Sequence, residues 1–336
     1  MNSRPPYQIT PAILSLVARI GEALGLLKAT GSGANTLRLH RVNRLKTIQA
    51  SLEIEGNTLS LEQVTAVLEG KRVLAQPREL QEVRNAYAAY EAMPQWSAYS
   101  RDDLLAAHTL LMAGLVDGPG RFRSSGVGVH GAEGVIHIAP PADRVAGLMD
   151  ALLGWLRDTD EHPLIASAVF HYEFEFIHPF GDGNGRMGRL WQTLILSQWR
   201  PVFSTMPVES LIRDHRAGYY AALNACNQAG ASTQFIEFVL RMILDAIQTV
   251  TEQETEQVSE QVKRLLAALG RETCSARELM GRLKLAHRPN FLYNYLQPAL
   301  QCGLVEMTFP DRPRARNQKY RLSRRGQSLL SEGNER

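Results

Sequence analysis

Residues 163–198 limit what this chain can fold into more than any other stretch. Within "HPLIASAVFHYEFEFIHPF", Ile165, Val169, Tyr172 and Phe176 fall at i, i+4, i+7 and i+11, one apolar stripe of helical period. The run "GDGNGRMGR" (181–189) follows, and a second helix is predicted over 184–198. The segment therefore reads as helix, glycine-rich turn, helix. Small residues ahead of a helix expose backbone N–H groups at the positive end of its dipole, which makes an anion site.

Helical periodicity dominates elsewhere too. Helices are predicted over 9–27, 37–55, 60–70, 78–93, 102–115, 142–157, 209–228 and 232–252, with Ser60 and Gln63 as a helix-start pair. The one clear β signal is "VGVHGAEGVIHI" (127–138), where Val127/Val129 and Ile136/Ile138 alternate around a glycine-rich turn. A mainly α fold with one small hairpin is expected. The polar run 249–261 reads as a helical linker. At 336 residues, 44% apolar and 21% charged, the composition suits a globular protein of two or three domains.

Three glycine-loop chemistries compete for 181–189. Gly183, Gly185 and Gly188 spell the dinucleotide fingerprint, but a helical pattern precedes them where a strand is required. A Walker A loop needs Lys-Ser/Thr after its second glycine, and Arg189-Leu190 stands there. An EF-hand needs glycine and a bidentate glutamate where Met187 and Thr193 occur. What survives is the anion site itself. Arg186 and Arg189, at i and i+3, supply cations on one face, and Asn184 adds a donor. Asp182 suits a phosphate that carries Mg²⁺. His178 is the nearby group whose reference pKa lies near neutrality. Together these residues form a centre for phosphoryl-type transfer.

The run from His178 to Arg189 fits H-x-F-x-[DE]-G-N-G-R-x-x-R at all eight specified positions. In this it resembles the Fic-domain family, and the resemblance extends over about residues 5–250. It implies a Fic-type helical bundle with a hairpin flap and a protein adenylyltransferase activity that moves AMP from ATP to a Ser, Thr or Tyr hydroxyl. His178 would be the general base and Asp182 the Mg²⁺ ligand. Gly183, Asn184 and Gly185 would cradle phosphate, Arg186 would bind the leaving group and Arg189 the γ-phosphate, with Met187 and Gly188 inside the same nucleotide-binding run. Phe180 reads as a core anchor for the loop. Gly185 is intact, whereas Doc-type kinases carry lysine at that place. Val135, Ile136, His137 and Ile138 would belong to the flap, which aligns a target segment by strand addition. Tyr219, Tyr220 and Asn227 resemble the family's adenine-contacting set.

"SLEIEGN" (51–57) closes a predicted helix with Gly56 at the C′ position. It matches the family's inhibitory pattern, [ST]-x-x-x-E-[GN]. Glu55, aided by Ser51, would pair with Arg189 and take the place of the γ-phosphate, so the enzyme would inhibit itself. The same glutamate could instead orient water for removing AMP, the de-adenylylase alternative.

Net charge is +3, but residues 255–336 carry 15 Lys/Arg against 8 Asp/Glu, leaving the body slightly acidic. That tail resembles the winged-helix (α+β) module of many Fic proteins, with a capping box at Ser275/Glu278, a helix over 289–301 that Pro298 interrupts, and a wing at 305–309 and 318–322. Arg312, Arg314 and Arg316 could meet DNA phosphates, while protein docking or homodimerisation through this module is the other reading. A nucleotide-sensing DNA-binding regulator is therefore the alternative to the enzyme. The expected division is 1–95, an N-terminal helical region with the inhibitory helix; 96–250, the catalytic domain; and 251–336, a linker helix and winged helix. Three scattered cysteines, no secretory signal and no apolar run of spanning length lead to a cytoplasmic location without membrane insertion.

Overall fold

The computed structural model describes residues 4–30, 34–131, 134–270, 272–301, 303–313, 315–324 and 326–327, without side chains for 28–30, 34–39, 128–131, 134–138, 253–259 and 301. Several of its helices start at a side-chain cap, as at Ser60, Ser100 and Ser275. α1 (Pro11–Thr30) and α2 (Ala34–Ile54) lead to α3 (Leu61–Leu68), which Ser60 and Gln63 open with a complete capping box. α4 (Pro77–Ala92) and α5 (Arg101–Leu111) precede the hairpin of β1 (Gly128–Gly131) and β2 (Gly134–Ile138). α6 (Ala142–Asp158), α7 (Pro163–Ile177), α8 (Asn184–Trp199), α9 (Val208–Asp214), α10 (Arg216–Ala229) and α11 (Thr233–Leu269) follow. The tail adds β3 (Cys274–Ser275), α12 (Ala276–Arg282), α13 (Arg288–Phe291), α14 (Gln297–Gln301), β4 (Val305–Met307) and β5 (Lys319–Leu322).

The chain divides into two units. One holds Met1–Ala23 with Arg41–Ile247, the other Leu24–His40 with Gln248–Arg336. No boundary falls near residue 95, because Ile48 and Leu52 of α2 share one apolar core with Phe170 and Phe174 of α7 and Leu190 and Trp191 of α8. A helix buried against that core cannot form a domain of its own. In the second unit, β3, β5 and β4 form a three-stranded antiparallel sheet in that order, over a core that includes Leu265, Leu279, Phe291 and Tyr320.

Three local features differ from expectation. The helix predicted over 209–228 breaks at His215, which leaves helical geometry at φ −110° and ψ 32°. The helix over 289–301 does not break at Pro298 but widens into a π-helical turn at Leu292–Leu296. Proline lacks an N–H and its ring crowds the carbonyl four residues earlier, so a widened turn just ahead of it relieves both problems. In the hairpin, Val129 pairs with His137 and His130 with Val135, and the register shifts between Val129 and His130. Among the described residues no helix is long and apolar enough to cross a membrane.

Candidate active site

α7 ends at His178, which takes left-handed backbone angles of φ 49° and ψ 62° while its N–H bonds Phe174 O at 2.9 Å. A non-glycine residue there is costly and persists only where its surroundings fix it. Those surroundings can be traced. Arg123 Nε donates to His178 O at 2.8 Å. Phe180 is buried and stacks on the His108 ring at 3.7 Å, nearly parallel. Asn184 closes the loop, accepting from Phe180 N–H and donating to Phe180 O, both at 2.9 Å. His108 Nδ1 accepts from Gly120 N–H at 2.8 Å, so its proton sits on Nε2 and is donated to Asp182 O at 3.0 Å. Burial lowers the His108 pKa and keeps this neutral tautomer in place. At Gly183 (φ +85°) a Cβ would lie 2.6 Å from Met112 Sδ, so only glycine opens α8 here.

Two arginines of α8 then serve three carboxylates. Arg186 bonds Asp182 Oδ1 at 3.2 Å and faces Glu82 Oε1 at 3.5 Å. Arg78, from α4, bonds Asp182 Oδ2 at 3.0 Å. Asp182 remains 43% exposed. Arg189 is only 1% exposed and donates to Ser51 Oγ (3.1 Å), Ser51 O (3.0 Å) and Glu55 Oε1 (2.8 Å). Burial works against its charge, but Glu55 and its other neighbours outweigh that and hold its pKa above the ordinary value. A Cβ at Gly185 would lie 2.3 Å from Glu55 Oε1. The Glu55 carboxylate thus rests on the glycine of the anion nest itself.

Behind Arg189 lie two buried groups that stay neutral. Burial pushes the Glu175 carboxyl up to about 8 and the His171 imidazole down to about 3. Their 3.9 Å approach is therefore not an ion pair. His171 Nδ1 meets Gln192 Oε1 at 2.7 Å and Nε2 meets Tyr219 Oη at 3.1 Å, which fits Nδ1–H as donor and the tyrosine hydroxyl as donor to Nε2.

The chain is similar to a crystal structure of a Fic family protein from Desulfovibrio desulfuricans G20, at 55% identity and a TM-score of 0.72, over 96% of this chain and 99% of that one. The chain belongs to the Fic family. Residues 98–196 match the Fic/DOC family and residues 260–323 match the Fic-like C-terminal domain of filamentation-induced-by-cAMP proteins. Among curated relatives, the protein adenylyltransferase Fic of Culex quinquefasciatus is 30% identical over 65% of this chain and 43% of its own length. Protein adenylyltransferase fic-1 of Caenorhabditis elegans is 33% identical over 63% of this chain and 42% of its own. The match spans less than half the length of these curated relatives. A structure of Fic-1 from C. elegans superposes with a TM-score of 0.59 at 26% identity, over 72% of this chain and 74% of that one.

Against the expected Fic site, the structure gathers His178, Asp182, Gly183, Gly185, Arg186 and Arg189 at the loop, with Ser51 and Glu55 on Arg189. Other residues sit differently. The Asn184 side chain is spent on Phe180, so it shapes the loop instead of facing out of it. Met187 is fully buried and its N–H bonds Gly183 O. At Gly188 a Cβ would lie 2.9 Å from both Glu175 Oε1 and His171 Cδ2, so this glycine serves the packing of α7 on α8. Tyr219 is 2% exposed with its hydroxyl on His171, which makes it a core residue. Tyr220 stays partly exposed under the Arg216 guanidinium, and Asn227 Oδ1 accepts from Tyr172 Oη at 3.1 Å. The backbone of Val135, Ile136, His137 and Ile138 forms β2, while their side chains lie outside the described residues, as does Arg314.

Arg78, Arg123 and His108 escaped the sequence. Arg123, whose partners are carbonyls, leaves no charge pattern, and Asp182, the partner of Arg78, lies 104 residues away. His108 did leave one trace: with Leu104 and Leu111 it falls at i, i+4 and i+7 on the buried face of α5. Among the described residues no three His, Cys, Asp or Glu side chains form a resident metal site. One accessible carboxylate beside an anion nest suits Mg²⁺ that arrives on a nucleotide, since this ion keeps several waters and takes few protein ligands.

Proposed function

We propose that this Fic-family protein is a protein adenylyltransferase that holds itself inactive. The observation that carries the reading is the Arg189–Glu55 pair seated on Gly185: a carboxylate occupies the nest and the cation that an anionic ligand would use. His178 takes the proton from a Ser, Thr or Tyr hydroxyl of the target. The oxygen attacks the α-phosphorus of ATP, the bond to the β-phosphate breaks, and diphosphate leaves. The N–H groups at the start of α8 and Arg186 stabilise charge on the leaving phosphates, and Arg189, once released by Glu55, fixes the γ-phosphate. Asp182 would hold Mg²⁺, which neutralises phosphate charge. Tyr220 and Asn227, on α10, are the remaining candidates for the base of the nucleotide. The buried, unpaired Cys226 and Cys274 suit a reducing, cytoplasmic setting.

The test is label transfer from ATP in a host lysate. Label at the α-phosphate moves to protein with Glu55→Gly, and adding His178→Ala lowers it about 10²–10⁴-fold. Transfer from γ-labelled ATP instead would identify a kinase, and loss of label from a pre-modified target would identify the reverse reaction.

A second reading rests on the wing. Arg312 and Arg316 are exposed and, among the described residues, neither forms an ion pair, which suits contact with DNA phosphates. A mobility-shift measurement on the full chain, repeated with Arg312→Ala/Arg316→Ala, decides between DNA and a protein partner.

A further inference from the structure

The base and the root of the hairpin are tied to one guanidinium. Arg123 is buried, and four of its five N–H donors reach carbonyl oxygens: Nε to His178 (2.8 Å), Nη1 to Ser125 (2.9 Å), and Nη2 to Pro140 (2.5 Å) and Ile177 (3.2 Å). Its own N–H adds a bond to Pro179 O at 2.9 Å. Ser125 and Pro140 flank the hairpin on its two sides, and the Ala139 N–H to Val127 O bond continues the ladder between them. Ile177 and His178 are the end of α7, where the chain turns left-handed. The His178 N–H bond to Phe174 O and the Arg123 bond to the His178 carbonyl hold the backbone on both sides of the Cα from which the imidazole leaves.

We infer that Arg123 is a positioning residue that holds the His178 imidazole and the hairpin in one register, so that a hydroxyl presented along the hairpin arrives within reach of the base. The role rests on the proposed transfer reaction. It concerns how the acceptor meets the base, and the contacts of Arg123 include neither the anion nest nor the Glu55 brake. A plainer role would be to cap the last carbonyls of α7 with a cation. The planar fork separates the two. Lysine keeps a charge at the helix end, but its donors radiate from one atom and cannot span Ser125, Pro140 and His178 together.

Arg123→Lys and Arg123→Gln are made in the full chain carrying Glu55→Gly. The measurements are Tm, ATP affinity, kcat and acceptor KM, hydrogen exchange of the hairpin amides, and the NMR titration of His178. Positioning predicts that Arg123→Lys keeps Tm and ATP affinity near the parent values while kcat/KM for the acceptor falls about 10²-fold, the usual cost of misplacement by about 1 Å. It also predicts faster hairpin exchange and a shifted His178 titration, and free guanidinium ion should restore part of the loss in an Arg123→Ala protein. A lysine variant that transfers at the parent rate, or whose losses follow Tm and ATP affinity alone, overturns the inference. If the Glu55→Gly parent itself transfers nothing, the function assigned above fails. The exchange and titration data then still decide whether Arg123 couples hairpin and base.

Discussion

The loop at 178–189 and the end of α2 meet at Arg189, and they are held in unequal ways. The loop is over-determined: Arg123, Asn184, His108 and Phe180 fix its backbone from four directions through buried or partly buried contacts. α2 packs Ile48 and Leu52 into the same core as α7 and α8, but at some cost. It buries Asn43 and Thr47, whose side-chain polar atoms have no hydrogen-bond partner among the described residues. Each such group costs about 1–3 kcal/mol. Its far end relies on the Arg189 contacts to Ser51 and Glu55 and on Arg213, which bonds Gln49 and Glu53. The lesson is a division of labour. Under the function proposed above, the reacting groups sit on the loop that is fixed from four directions, and the brake sits on α2, which carries two orphaned polar side chains.

This contrast can be broken by experiment. The largest expected effect follows Glu55→Gly. Losing one charge-assisted bond of about 1.5–3 kcal/mol should raise AMP transfer by roughly tenfold to a hundredfold in initial-rate assays. An unchanged rate with a verified target would mean that Glu55 is no brake. Next comes Gly185→Ala, whose Cβ would collide with Glu55 Oε1 and approach Arg189 Nη1 to 3.1 Å. It should destabilise the parent more than the Glu55→Gly variant, with a coupling of about 0.5–3 kcal/mol in a denaturation cycle. Additive losses would place Glu55 away from the nest.

Stability against pH tests the rigid side. Folded Glu175 keeps its proton to about pH 8 while the unfolded chain releases it near 4.5, so stability is lost as pH rises between them. His171 has the opposite sign. The unfolded chain gains a proton below about 6.5, the folded one only near 3, so stability is lost as pH falls. These two cancel between 4.5 and 6.5. Glu173, raised by burial to about 7, adds a decline up to that pH, and from 7 to 8 the Glu175 decline of about 1.4 kcal/mol per pH unit remains. Glu175→Gln should flatten that decline in thermal scans. The smallest effect is Thr47→Val, expected to raise stability by about 1 kcal/mol by removing an orphaned hydroxyl from α2. A loss measured by urea titration would show that the hydroxyl has a partner after all.

Much of this was legible in the chain. Ser60 with Gln63 and Ser275 with Glu278 form their capping boxes, and Gly56 takes the left-handed angle at the end of α2 that its place required. Gly183 opens α8 as a glycine turn should. These features rest on contacts between residues a few positions apart, which sequence spacing encodes directly. The helical class and the turn of 181–189 are of the same kind.

Other features depended on approach through space. Nothing local says that Asn184 turns back onto Phe180, that Tyr219 is sealed under His171, or that Arg78 reaches Asp182 across 104 residues. The pairing of Glu55 with Arg189 spans 134 residues and entered the sequence reading only through family resemblance. By itself, the chain determined its helices, its turns and the chemical inventory of the loop, because propensity and capping act over one or two turns. Only the tertiary structure decided which cation faces which carboxylate and which backbone carbonyls Arg123 binds. Charge and donor geometry act across distance, and packing alone brings those groups together.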